Sequence, residues 1–240
     1  MDRQHDDRTA EFAAADHDDS RGPLNRRSIL EVAIALVDRE GLRRLTMRRL
    51  GAECGVEAMA LYRYVHSRED LLSGIVDHLV ERLHTEQLEA RREEDGWQDF
   101  LLRLAHGVRQ IALDHPELFP LVATRPPEAP WVRPPLRSLR WMETFLSTLL
   151  SYGFGDDAAV AAYRSYTTFL LGQLLLDVSA RRRPTQSRSA ESERGTVRDL
   201  SDFPHLRRLQ PMLAQDHSQA EFEDALEALL DRLEGLLTHP

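Results

Sequence analysis

The 240-residue sequence has no lysine; all 31 of its basic residues are arginine. That bias reads as a habit of Arg- and Ala-rich codons and not as a functional signal. A single cysteine, Cys54, excludes a disulfide within the chain and any cysteine-based structural zinc site. It is expected to pack as a small hydrophobe. Long hydrophobic runs are missing too: "FLLGQLLLDV" (169–178) is too short and too interrupted to cross a bilayer. The first residues are acidic with no hydrophobic stretch, unlike a secretory signal, so the expected location is cytoplasmic. Despite 10 histidines and many acids, there is no nucleophile motif, no phosphate-binding glycine loop and no HExxH spacing. An enzyme is therefore not expected, and neither a cofactor nor a metal site.

The charge that is present is unevenly spread. Residues 1–20 hold 2 Arg against 7 Asp/Glu, residues 21–68 hold 10 against 5, and residues 69–240 hold 19 against 28. A net charge of −9 thus hides one positive segment, and a local basic face attracts phosphate whatever the total.

Hydrophobic periodicity predicts an all-α chain. Residues 1–22 are polar, acidic and aperiodic, as in a disordered tail. A helix is predicted over 26–40, where Ile29, Ala33, Leu36 and Val37 share a face and Gly41 ends it. Thr46 is an N-cap for a short helix over 47–54, and Gly55 breaks the chain. A third helix is predicted over 57–64. Ser67 caps a fourth, to about residue 90, with Glu69 and Asp70 in its first turn. Further helices are predicted over 97–114, 135–152, 156–181, 205–215 and 219–237, with "TRPPEAP" (124–130) as a loop. The last helix carries a stripe of Phe222, Leu226, Leu229, Leu230, Leu233 and Leu237. The low-complexity stretch 181–202 reads as a mobile loop. These elements divide into a disordered acidic tail (1–22), a three-helix unit (23–68) and a larger helical domain (69–240).

Two short helices flanking Gly51 and Gly55 cannot stand alone, so they pack on the first helix. Gly51 permits close approach, Gly55 a left-handed turn, and Leu45, Leu50, Cys54, Val56, Leu61 and Val65 a shared core. That is the helix-turn-helix pattern, although a plain corner between two helices satisfies it as well. The stretch "LTMRRLGAECGVEAMALYRYVHSREDLL" resembles the N-terminal domain of TetR-family transcriptional regulators. "WQDFLLRLA", "HPEL", "TRP", "YGF" and "FLLGQLLLD" resemble the tetracycline-repressor type of effector domain. The resemblance spans about residues 24–237.

What the resemblance implies is a DNA-binding transcriptional regulator with a double-stranded operator and a small-molecule effector as partners. Arg48 and Arg49 would meet phosphate or a guanine edge. Ala58, Met59 and Ala60 would lie at the tip of the recognition helix, where apolar contact with thymine methyls replaces hydrogen bonding. Tyr62, Arg63, Tyr64 and Arg68 would form a phosphate-facing rim. The helices at about 156–181 and 219–237 resemble the family's homodimer interface. The expected effector pocket is His84, Leu104, Val108, Leu121, Met142, Phe145, Tyr163 and Tyr166. His84 falls on the family's drug-contacting histidine. Leu104, Leu121 and Leu176 stand where tetracycline repressors use asparagine, a metal-binding histidine and a glutamate, so a magnesium-chelated drug has no ligand set here. A homodimeric repressor released from a palindromic operator by a mostly apolar molecule is the leading expectation. An activator of the same fold, or a helical ligand-binding protein that no longer binds DNA, is the alternative.

Overall fold

The structure is a computed structural model and describes residues 24–89, 95–125, 138–181 and 200–238. The predicted tail and most of the predicted 181–202 loop lie outside these. Every regular element among the described residues is helical. In chain order they are α1 (Arg26–Glu40), a 3₁₀ turn (Leu42–Arg44), α2 (Met47–Cys54), α3 (Ala58–Leu61), α4 (Arg68–Glu89), α5 (Trp97–Asp114), α6 (Phe119–Thr124), α7 (Leu139–Ser151), α8 (Asp156–Arg181), α9 (Pro204–Leu213) and α10 (Ser218–Thr238). No helix among the described residues is long and apolar enough to cross a membrane.

Local chemistry fixes the first four. Asn25 and Ser28 form a reciprocal cap, each side chain taking the other's backbone N–H at 2.9–3.0 Å. Thr46 accepts from the Arg49 N–H at 3.2 Å, and Ser67 from the Asp70 N–H at 3.0 Å. Gly55 has φ 73° and ψ 24°, the left-handed cap that ends α2. Gly51 is the contact point with α3: a Cβ there would sit 2.8 Å from the Val56 carbonyl oxygen. The shared core of Ile29, Leu36, Val37, Leu45, Leu50, Leu61, Val65, Leu71 and Ile75 is fully buried.

Several helices differ from the sequence reading, among them α7, which starts at Leu139 behind the Ser138 cap and not at 135. Helix α3 is one turn long, because after Leu61 the chain tightens into i→i+3 bonds, such as Tyr64 N–H to the Leu61 carbonyl at 2.9 Å. Helix α6 was not anticipated. Its six residues are too few to show periodicity, and its start is set by the Leu118 and Phe119 N–H groups on the His115 carbonyl. Helix α9 runs 204–213 and buries no side chain.

Helix α4 packs on α1 on one side and on α5 and α6 on the other. Helix α8 is the spine of the larger domain and touches α5, α6, α7 and α10. Its buried side, Ala159, Ala162, Tyr163, Tyr166, Thr167, Leu170, Leu174 and Val178, recurs at helical spacing.

Candidate nucleic-acid interface and effector cavity

On the outer face of α2 and α3 the side chains are either apolar or positively charged. Met59, at the middle of α3, is 74 % exposed, with Ala58 and Ala60 half-buried beside it. Tyr62 is exposed, whereas Tyr64 is half-buried and leans on the core. Arg48 and Arg63 are exposed, and their side chains make no hydrogen bond or ion pair among the described residues. Arg68 is exposed at the start of α4 and makes long bonds from Nε to the Leu45 carbonyl (3.4 Å) and from Nη2 to the Leu42 carbonyl (3.5 Å).

Arg49 is placed differently from Arg48. Its guanidinium lies 2.6 Å from Glu40 and 3.6 Å from Glu53, in a cluster that Arg39 completes at 3.0 Å from Glu53. These four side chains join the end of α1 to α2. The hydrogen bond from Arg49 holds the Glu40 carboxyl below its ordinary range.

A structural pair that sequence reasoning missed stands beneath the interface. Arg26 donates to both oxygens of Asp70, at 2.7 and 3.2 Å, and to the Tyr64 carbonyl at 2.7 Å. Asp70 also accepts the His66 N–H at 2.7 Å. The start of α1, the turn after α3 and the start of α4 therefore meet on one ion pair. No local pattern announces it, since the partners are 44 residues apart. Arg26 above all, and the His66 N–H after it, hold the Asp70 carboxyl below its ordinary value. A depressed folded-state pKa means that the stabilisation is complete above the ordinary carboxylate range and lost as pH falls through the folded value. Asp70→Asn should destabilise the chain at pH 7 by about 1 kcal/mol, the upper end for a partly exposed pair. The gap to wild type should close in acid. Melting curves at pH 7 and pH 3 test this, and a gap that persists at pH 3 would refute it.

The larger domain contains a cavity between α4, α5, α6, α7 and α8. Val80, Leu83, Leu104, Val108, Ile111, Phe119, Val122, Trp141, Phe145, Leu170 and Leu171 give it an apolar wall, with Ser138, Tyr166 and Thr167 as the polar members. The void holds about 70 Å³ for the centres of water-sized spheres, and about 750 Å³ if all space between wall atoms and mouth is counted. Four of the eight expected residues line it: Leu104, Val108, Phe145 and Tyr166.

The other four lie beside it. His84 is buried with Nε2 3.2 Å from the Thr144 hydroxyl and its ring edge-on to Trp141. Tyr163 is buried edge-on against Phe145, and burial pushes its phenol up to about 12. Leu121 and Met142 are half-buried, each one position from a true wall residue, Val122 and Trp141. Within the wall, the Tyr166 hydroxyl donates to the Leu101 carbonyl at 2.5 Å, and the Trp141 indole to the Val80 carbonyl at 3.3 Å. Burial raises the Tyr166 phenol well above its ordinary value, so it stays neutral. Ser138 caps α7 by accepting the Trp141 N–H. The Thr167 hydroxyl makes no hydrogen bond among the described residues, and the Ser138 hydroxyl only accepts, so these two are the polar groups of the wall open to a ligand.

Helix α6 connects this cavity to the DNA-facing unit at both ends. The His115 Nδ1 is 2.8 Å from Asp38 of α1, just before α6. After α6, Arg125 is 8 % exposed, with Nη1 donating to the Ser73 hydroxyl and Nη2 2.7 Å from Glu69. Ser73 and Glu69 belong to the first turns of α4.

A one-turn helix presented after a glycine turn, on a three-helix unit joined to a hollow helical bundle, defines a helix-turn-helix regulator with a sensory domain. Residues 29–75 match the family described as bacterial regulatory proteins, tetR family, and residues 90–237 match the tetracyclin repressor-like C-terminal domain. The chain belongs to the TetR family. It is 27 % identical over 216 residues to the class D tetracycline repressor protein of Escherichia coli, covering 90 % of this chain and 91 % of that one. A crystal structure of a possible TetR family regulator from Streptomyces coelicolor A3(2) superposes with TM-score 0.68 at 28 % identity, covering 88 % and 100 % of the two chains. The S. coelicolor TetR family protein ActR in complex with (S)-DNPA gives 0.61 at 25 %, covering 90 % and 98 %.

Proposed function

We propose that this regulator is a homodimeric repressor that leaves a palindromic operator when a small, neutral, mostly apolar molecule enters the cavity. The observation that carries the reading is α4. It starts at Arg68 on the DNA side and reaches the cavity wall at Val80 and Leu83, about 20 Å further on at 1.5 Å per residue. A ligand that prefers one placement of α4 shifts the recognition turns and lowers DNA affinity by its differential binding free energy.

Base reading falls to Arg48, Arg63 and the apolar tip Ala58–Met59–Ala60. Tyr62, Tyr64 and Arg68 are the phosphate-facing rim. Arg49 contributes to the shape of the unit through Glu40 and Glu53. The effector class follows from the wall. Among the described residues the wall has no carboxylate, imidazole or guanidinium, and the Tyr166 hydroxyl and the Trp141 indole N–H are already engaged. That suits an uncharged molecule with one or two hydrogen-bonding groups for Thr167 and Ser138, and it gives magnesium no carboxylate ligand. The volume requires side chains to move aside on entry.

The dimer reading rests on the outer face of α8. There Ala161, Ser165, Thr168 and Gly172 form a smooth exposed row, ending at Leu176, which is 73 % exposed. Small residues let a second helix approach closely, and a two-fold pair sets recognition helices about 34–36 Å apart. The repressor part of the reading draws support from the relative named as a tetracycline repressor.

Selection of bound sequences from random duplexes should return an inverted repeat. Binding to the selected duplex should weaken at least about ten-fold when the neutral fluorophore N-phenyl-1-naphthylamine saturates the protein. Fluorophore bound with duplex affinity unchanged rules out release, and a monomer by gel filtration at micromolar concentration rules out the dimer.

A further inference from the structure

The arginines around the helix-turn-helix fall into two groups by what they touch. Arg26 is bound to Asp70, Arg27 to Glu31 at 2.9 Å, Arg39 to Glu53 and Arg49 to Glu40. Each of these is committed within the chain. Arg43, Arg44, Arg48 and Arg63 are exposed and reach no carboxylate within 4.0 Å among the described residues. Two of those four, Arg48 and Arg63, are already placed at the DNA by the reading above. The other two stand side by side on the 3₁₀ turn Leu42–Arg44, before α2 begins.

The surroundings of that turn favour an anion. The Leu42 and Leu45 carbonyls are occupied by the side chain of Arg68, so a third guanidinium lies against the same four residues. The N-terminus of α2, whose first-turn N–H groups carry partial positive charge, follows two residues later. The nearby carboxylate, Glu40, is held by Arg49 at 2.6 Å. Beyond that Arg49 bond, Arg44 adds to the field that holds the Glu40 carboxyl below its ordinary range but makes no ion pair with it, so positive charge on this turn is left for an external anion.

We propose that Arg43 and Arg44, together with Arg68, form a phosphate-binding site on the α1–α2 turn that grips the DNA backbone beside the major-groove contacts. The inference rests on the DNA-binding reading and adds to it a backbone contact outside the helix-turn-helix. The ligand class is the phosphodiester of duplex DNA. The contact carries no sequence information, because phosphate positions are common to all sequences. It lengthens the footprint and makes binding more salt-dependent.

The test uses the full-length protein, a random-sequence 30-base-pair duplex and the duplex recovered by selection, with affinities measured by fluorescence anisotropy across a salt series. Each guanidinium that meets a phosphate contributes about 0.9 to the slope of log K against log salt. The double variant Arg43→Gln/Arg44→Gln should therefore lose about 1.8 per bound protomer on both duplexes alike. Arg49→Gln should change the slope little, since its charge is committed to Glu40. Neither exposed arginine makes a side-chain hydrogen bond or ion pair among the described residues, so circular dichroism should show an unchanged fold. Arg43→Lys/Arg44→Lys serves as a second variant that keeps the charge and should keep the slope. If wild type binds with a steep slope and the glutamine variant matches it, the site is refuted while the DNA-binding reading stands. If wild type shows no salt-dependent duplex binding, both fall.

Discussion

Gly51→Val should abolish specific DNA binding while leaving the effector cavity able to take up ligand. A Cβ at Gly51 lies 2.8 Å from the Val56 carbonyl oxygen, 3.1 Å from the Ala58 nitrogen and 3.3 Å from the Ala58 Cα. All three are backbone atoms of the turn that leads into α3, so no side chain can swing away to make room. Valine adds two methyls to that collision. The turn must lift off α2, breaking the 2.9 Å bond from the Val56 N–H to the Gly51 carbonyl and carrying Met59 and Tyr62 with it. Overpacking of this kind costs about 1–3 kcal/mol. Loss of register at the bases adds to that, so duplex affinity should fall at least about 100-fold, which is 2.7 kcal/mol at 1.36 kcal/mol per decade. Gly55→Ala offers a graded comparison: its φ of 73° makes alanine strained by about 1 kcal/mol. Anisotropy with the selected duplex measures the loss, and N-phenyl-1-naphthylamine fluorescence reports the cavity. Duplex affinity within two-fold of wild type for Gly51→Val would falsify the close-approach account.

Arg125→Met should separate sensing from release. The guanidinium links the end of α6, whose Phe119 and Val122 face the cavity, to Glu69 and Ser73 at the start of α4. Glu69 is 77 % exposed at its side chain, so removing Arg125 leaves no buried carboxylate stranded. Methionine fills much of the same space without charge. The fluorophore should bind the variant with near wild-type affinity. The ratio of duplex affinities with and without it should shrink from at least ten-fold toward unity, a coupling loss of about 1–3 kcal/mol. A purely structural role would lower the melting temperature and leave that ratio intact, which is the outcome that would sink this prediction. The His115–Asp38 contact at the other end of α6 is expected to carry the remaining coupling.

How far the sequence could be read follows the range of the interactions. Helix ends governed by near neighbours were legible in Thr46 before Arg49, Ser67 before Asp70, and the left-handed Gly55, whereas the Asn25–Ser28 cap emerged from the structure. The bounds 26–40, 47–54 and 156–181 come straight from such signals and from periodicity. Helix α6 was hidden because six residues complete fewer than two turns. The Arg26–Asp70 pair was hidden because no local rule connects positions 44 apart. The cavity shows a third kind of limit. The residues named from the family resemblance lie on the helices around this cavity, but one residue along a helix turns a side chain by about 100°. His84 thus yields the wall to Leu83, Leu121 to Val122, and Met142 to Trp141. Leu104, Val108, Phe145 and Tyr166 face the cavity. Among the arginines, charge could be counted from sequence, but which charges are already spoken for depends on where Glu40, Glu53 and Asp70 fold to.

The wall of the cavity also sets how finely the protein can tell one molecule from another. Where two small hydroxyls, Thr167 and Ser138, are the open polar handles, recognition is mostly a matter of volume and outline. A methylene more or less is worth about 1–3 kcal/mol, or 10–200-fold, in an apolar pocket. A homologous series of compounds should therefore give a staircase of dose–response curves and not a single accepted key. Such a sensor would answer to a chemical neighbourhood, and changing Leu104 or Leu170 by a single carbon would move the boundary of that neighbourhood without moving the DNA site.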